Sequence, residues 1–217
     1  MPLNHWPIGA ALIALLQLSC AAASPAQSVG ETSFENSGAP AAQAEFARGL
    51  AQLHNFEYDD AAAHFRKAQE IDATFAMAYW GEAMTKNHPV WHEQDREAGR
   101  EVLKRLGAAT DNRAAKARTD REKFYLQAVE VLYGDGTKAG RDREYEAAME
   151  GIYKRYPNDI DAASLYALSI LGSAEHGRDF AIYMRAAAVL EEVFPSHRTH
   201  PGVRLPRRAW RLREVHI

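Results

Sequence analysis

The chain has 217 residues, 47% hydrophobic and 25% charged, with a formal net charge of -3. That balance describes a globular protein with one core of ordinary size and argues against nucleic acid as a partner. A single cysteine, Cys20, excludes an internal disulfide and a thiolate metal cage.

In chain order, the first feature is an apolar run from Ile8 to Leu18 followed by Ala21, Ala22 and Ala23. The run is too short to span a bilayer, and small residues suit a signal peptidase, so residues 1–23 read as a signal peptide. Lipidation at Cys20 competes with this, but Gln17 stands where a lipoprotein motif has an aliphatic residue. Either route exports the chain to the periplasm or cell envelope and leaves no transmembrane span in the mature form. Residues 24–40 are rich in Ser, Gly, Pro and Ala without periodicity and read as a flexible linker.

From residue 41 the chain is dominated by helix formers. A shift of 34 residues lays "AEFARGLAQLH" over "AYWGEAMTKNH", so that Phe46 matches Trp80, Gly49 matches Ala83, Leu50 matches Met84 and His54 matches His88. Within the first unit Gly49, Tyr58, Ala61, Phe65 and Ala68 keep helical spacing, with small residues where two backbones must approach. Later, Phe124 and Ala128 repeat the offset of Tyr79 and Ala83, while Ala162 and Ala167 repeat that of Ala78 and Ala83 after the helix stop at Pro157. "NHPVWHEQD" and "YGDGTKAGRD" interrupt the units as loops. The spacing predicts helices near 41–55, 58–71, 74–87, 93–106, 113–133, 141–155, 159–172 and 178–194. Asp72, Asp111 and Asn158 are the expected caps or turn residues.

These phrases resemble the tetratricopeptide repeats of exported bacterial proteins, closely over 41–106 and more weakly over 113–194. The resemblance departs at Ala73, where a proline usually closes the unit. It implies an all-α fold, an antiparallel helix-hairpin solenoid of about four pairs occupying residues 41–194. It also implies a concave groove lined by Phe46, Leu50, Leu53 and His54, then Met77, Trp80, Met84, Asn87 and His88, then Glu122, Tyr125, Val129 and Tyr133. Such a groove would take a protein or peptide partner in an extended or helical form. The same side chains could instead pack as ordinary core; His54 and Asn87, as polar edge residues, are expected to be exposed.

Histidine is the natural transition-metal ligand where thiolates are missing, which makes His54, His88 and His92 the metal candidates. Pro89 breaks the helical turn that would align His88 with His92, and the competing reading has Pro89 end the helix, His88 cap it and Trp91 pack beneath. No cofactor is implied. Motifs for phosphate binding, a nucleophile elbow or a zinc protease are missing, and "SAEHGRD" reads as a polar turn, so the expectation is a binding scaffold and not an enzyme. The alternative is a metal-binding or catalytic envelope protein using those histidines.

Residues 195–217 form an arginine-rich tail, "RTHPGVRLPRRAWRLREVHI" from Arg198 onward. It reads as a polyanion-binding tail or as a capping helix. Relatives continue past "HPG" with a helix containing His and Tyr, which implies a frame slip near Val203 and self-association through an uncapped face of 178–194.

Overall fold

The computed structural model describes residues 30, 32–174 and 179–204. The signal peptide, Cys20, most of residues 24–31, Glu175, His176 and the tail from residue 205 lie outside the described residues. The described part is predominantly helical: α1 (Gln43–His54), α2 (Tyr58–Ile71), α3 (Ala76–Met84), α4 (Arg96–Leu106), α5 (Thr110–Ala114), α6 (Asp120–Leu132), α7 (Lys138–Arg155), α8 (Ile160–Gly172) and α9 (Phe180–Val193). Two-residue strands β1 (Asn87–His88) and β2 (Glu93–Gln94) pair antiparallel, Asn87 opposite Gln94 and His88 opposite Glu93. They close the "NHPVWHEQD" insertion into a small hairpin around a 3-10 turn at Pro89–Trp91.

Helix starts follow local chemistry. Asp95, Thr119, Thr137, Asp159 and Asp179 accept hydrogen bonds from the first-turn amides of α4, α6, α7, α8 and α9. Thr119 and Glu122 form a full capping box, which is why the helix expected over 113–133 is cut into α5 and α6. Of the three expected cap or turn residues, Asp72 and Asn158 lie in turns before the next helix, and none of the three caps a helix start. Asp72 ends α2 and accepts from Thr74 N, Asp111 lies inside α5, and Asp159 caps α8 in place of Asn158.

Packing joins mostly sequence neighbours: α1 with α2, α2 with α3, α3 with α4, α6 with α7, α7 with α8 and α8 with α9, with α3 on α6 bridging the halves. Small residues let the backbones approach. A Cβ at Gly81 would overlap the Phe65 ring, and one at Gly99 would overlap the Tyr133 ring. On α9, Phe180 and Met184 stand 67% and 68% exposed.

Part of the expected linker is built into this core. Phe34 is buried, stacks on Trp80 at 5.4 Å between centroids, and touches Phe46 and Tyr125. The Arg121 guanidinium carbon lies 4.0 Å from the centroid of the Phe34 ring. Ser37 donates through its amide and its hydroxyl to Glu122 Oε1, each at 2.7 Å, and Ala39 N donates to Asp72 Oδ2 at 3.0 Å. Residues 32–39 therefore behave as an extended piece of the domain.

Candidate metal centre

The residues expected to line an open groove are interior. Phe46, Leu50, Leu53, His54, Met77, Trp80, Met84, Asn87, Tyr125, Val129 and Tyr133 are all buried, as is Glu122, and His88 is half-buried. Phe34 covers Phe46, Trp80 and Tyr125, and the Tyr133 hydroxyl donates to Ala83 O at 2.6 Å across the α3–α6 contact. The expectation that His54 and Asn87 are exposed is overturned. The apolar stripe packs on the chain itself, because the preceding segment supplies an aromatic ring that fits between its rings.

The histidine candidates separate. His88 stacks on Tyr58 at 4.0 Å and lies 3.6 Å from Glu93, and Trp91 meets Tyr58 and Phe56 edge-on. His92 is exposed, in the left-handed region at φ 56°. Neither comes together with His54. His54, at the last position of α1, instead meets Asp161 in the first turn of α8 and His200 in the segment after α9.

The geometry is close. His54 Nε2 lies 2.7 Å from Asp161 Oδ1, and His200 Nε2 lies 3.2 Å from the same oxygen but outside hydrogen-bond direction. One ligand atom from each of the three residues falls within 4.8 Å of the others, and no other such group occurs among the described residues. Exposure is 3% at His54, 2% at Asp161 and 5% at His200. Ser164, one turn beyond Asp161 on α8, is fully buried beside them.

Each member is placed by local structure. Asp159 caps α8 through Ala162 N, accepts from the Tyr125 hydroxyl at 2.9 Å and pairs with Arg121, which fixes the first turn carrying Asp161. The chain after α9 turns through a bond from His200 N to His197 O and seats Gly202 against His54 and Ser164. No side chain fits there: a Cβ at Gly202 would lie 2.5 Å from His54 Nδ1 and 2.8 Å from Ser164 Oγ.

Burial lowers the His54 imidazole from its ordinary value, with the bond to Asp161 opposing, so His54 is neutral at pH 7. Burial pushes the Asp161 carboxyl up, but the neighbouring His200 and His54 outweigh it and hold Asp161 well below the usual carboxylate range. A carboxylate is therefore held in the interior by two imidazoles.

Polar satisfaction fails at this point of the structure. Among the described residues the buried side-chain atoms without a hydrogen-bond partner are Gln52 Oε1, Tyr58 Oη, Trp80 Nε1, Ser164 Oγ and both ring nitrogens of His200. Half of them belong to this one cluster. Each such atom costs about 1–3 kcal/mol when left unpaired, and their concentration around one carboxylate sets this cluster apart from the rest of the described interior.

Asp161 and His200 were not singled out from sequence. Asp161 sits in "NDIDAAS", which reads as an ordinary helix start, and His200 in "THPGV", which reads as a tail. The "HPG" phrase was the available signal, since a Pro-Gly turn after a histidine is a means of delivering that ring to a crowded interior. No family of known proteins, no curated protein and no solved structure matches the chain.

Proposed function

We propose that this protein is a metal-binding helical domain whose centre is His54, Asp161 and His200. The observation that carries it is the meeting of two imidazoles and a carboxylate in the interior, with both nitrogens of His200 unpartnered. Two histidines and one carboxylate are a recurring ligand set for zinc and for non-haem iron, and imidazole also suits copper and nickel. Calcium and magnesium, which take oxygen ligands, fit poorly. Ligand atoms about 2.0–2.1 Å from a tetrahedral zinc stand roughly 3.3 Å apart. The two contacts to Asp161 Oδ1, 2.7 and 3.2 Å, are shorter than that spacing, and all three ligand atoms lie within 4.8 Å of one another, so the side chains would spread around an ion. Three protein ligands leave a position open, and the buried Ser164 hydroxyl, one turn along α8 from Asp161 and without a hydrogen-bond partner, is a candidate to fill it.

In this reading the α1–α4 and α6–α9 pairs form a tetratricopeptide-like stack, a reading supported by the neighbour packing and the small-residue contacts at Gly81 and Gly99. Export, too, remains part of the proposal, and a ligand set without thiolates suits an oxidising compartment. A peptide-binding scaffold is the less favoured reading, because a partner would have to displace Phe34 from its aromatic seat.

Chelator-stripped full-length chain titrated with zinc and followed by elemental analysis after dialysis tests the proposal. One ion per chain is expected. Asp161→Asn, which keeps the shape and a hydrogen-bonding group beside His54, should weaken binding by at least about 10- to 100-fold, the loss that even outer partners of a metal site cause. His88→Ala should bind as the native chain does. Stoichiometric binding undiminished in Asp161→Asn, or no stoichiometric binding by the native chain, rules the centre out.

A further inference from the structure

The three ligands differ in how they are held. His54 belongs to α1, which packs along α2, and Asp161 to α8, which packs between α7 and α9, whereas His200 belongs to a short segment that follows α9 and rests on α8 through the turn at Gly202–Arg204. We propose that the ion acts as a latch, holding residues 199–203 down over the end of α1 and the start of α8 when it is present and releasing them when it is removed. The inference rests on the metal reading above and concerns the regulation of that same site.

Three observations point to a segment poised between docked and released states. His200, Pro201, Gly202 and Val203 are buried, but the residues leading to them, Pro195 to Thr199, are exposed, so the segment is anchored at one spot. At that spot its one polar side chain has no hydrogen-bond partner on either ring nitrogen. The docked His200 ring meets Asp161 only through a 3.2 Å contact outside hydrogen-bond direction, whereas ligation satisfies it. An ion that needs His200 as a ligand binds the docked state selectively, and selective binding is what shifts such an equilibrium.

The segment does not move alone. Gly30, at φ 92°, packs so closely that a Cβ there would fall 2.9 Å from Pro201 Cδ and 3.0 Å from Thr199 O. Release of residues 199–203 therefore also frees the backbone at Gly30, and it opens Asp161, Ser164 and the His54 ring to water. The ion would thus report its presence as a change of surface at the joint of α1 and α8, leaving the α3–α6 core intact.

Hydrogen exchange read by mass spectrometry on the full-length chain tests this, comparing the peptide 195–204 with α3 (76–84), in zinc and in chelator. At zinc 100 times above its dissociation constant, a released state that binds zinc negligibly would be suppressed about 100-fold, with a matching slowing of exchange in 195–204 and little change in α3. In His200→Ala the exchange of that peptide should no longer respond to zinc. If zinc binds stoichiometrically but exchange in 195–204 is unchanged, or slows equally in α3, the latch is wrong and the metal centre stands. If zinc does not bind stoichiometrically, the metal centre falls and the latch with it.

Discussion

Gly202→Ala probes the site with a single methyl group. Nothing about the Gly202 backbone requires glycine, unlike Gly30 and Gly136 with φ of 92° and 95°, so the effect of alanine there is steric. The new Cβ would lie 2.5 Å from His54 Nδ1 and 2.8 Å from both Cβ and Oγ of Ser164, where ordinary contact begins at 3.4 Å. The gaps to be opened are 3.4 − 2.5 = 0.9 Å and 3.4 − 2.8 = 0.6 Å. Both neighbours are interior side chains on helices, not flexible tips, so the segment must lift instead. Overpacking of this kind costs about 1–3 kcal/mol, and at about 1.4 kcal/mol per tenfold the ratio of docked to released segment falls roughly 5- to 150-fold. Where the docked state is the binding-competent one, the apparent dissociation constant rises in proportion to the lost fraction. Zinc competition against a chromophoric chelator measures this directly, and helical circular dichroism should stay native because α1 and α8 are unaltered. Native zinc affinity in Gly202→Ala would refute the placement of the segment on His54.

Two further substitutions test the interior. Trp80→Ala removes a fully buried ring that stacks on Phe34 and meets Tyr125 edge-on, so urea unfolding should show a loss of about 3–5 kcal/mol; an unchanged midpoint would restore Trp80 as a groove surface. Gly81→Ala drives a methyl into the Phe65 ring, with an expected loss of about 1–3 kcal/mol. Combining it with Phe65→Leu should cost less than the two single changes added together, and strict additivity would show that α2 and α3 are not in that contact.

The helical character was legible because it is a local property. Small residues at Gly49, Ala61 and Ala68 with Phe65 between them predict close helix packing, and α2 runs over the expected 58–71. Boundaries that depend on capping were less legible: Thr119 and Glu122 break a stretch whose composition favours continuous helix. The apolar stripe through Phe46, Leu50, Trp80 and Tyr125 was legible as a face, but not what lies on it. Periodicity identifies a buried side and carries no information about which segment buries it, and Phe34 stands in a stretch whose Ser, Gly and Pro suggest a linker. The candidate site was legible in one residue of three. His54 drew notice by aligning with His88, yet its actual neighbours come from 107 and 146 residues further on (161 − 54 and 200 − 54), and no spacing rule relates positions so far apart.

That separation gives the cluster a mechanical meaning. The extensive contacts between α-helices join sequence neighbours apart from α3 with α6, and little ties α1 directly to the helices beyond α7. A hydrogen bond between His54 and Asp161 contributes only about 0.5–1.5 kcal/mol net, somewhat more with a charged partner. An ion ligated by both and by His200 is a cross-link over the whole described helical region. Loop-closure entropy grows with the length enclosed, so metal clips across long loops are those expected to gain most. Ion binding should therefore do more than fill a hole: it should make α1 and α8 unfold together with the segment carrying His200, where the ion-free chain would fray from that segment inward.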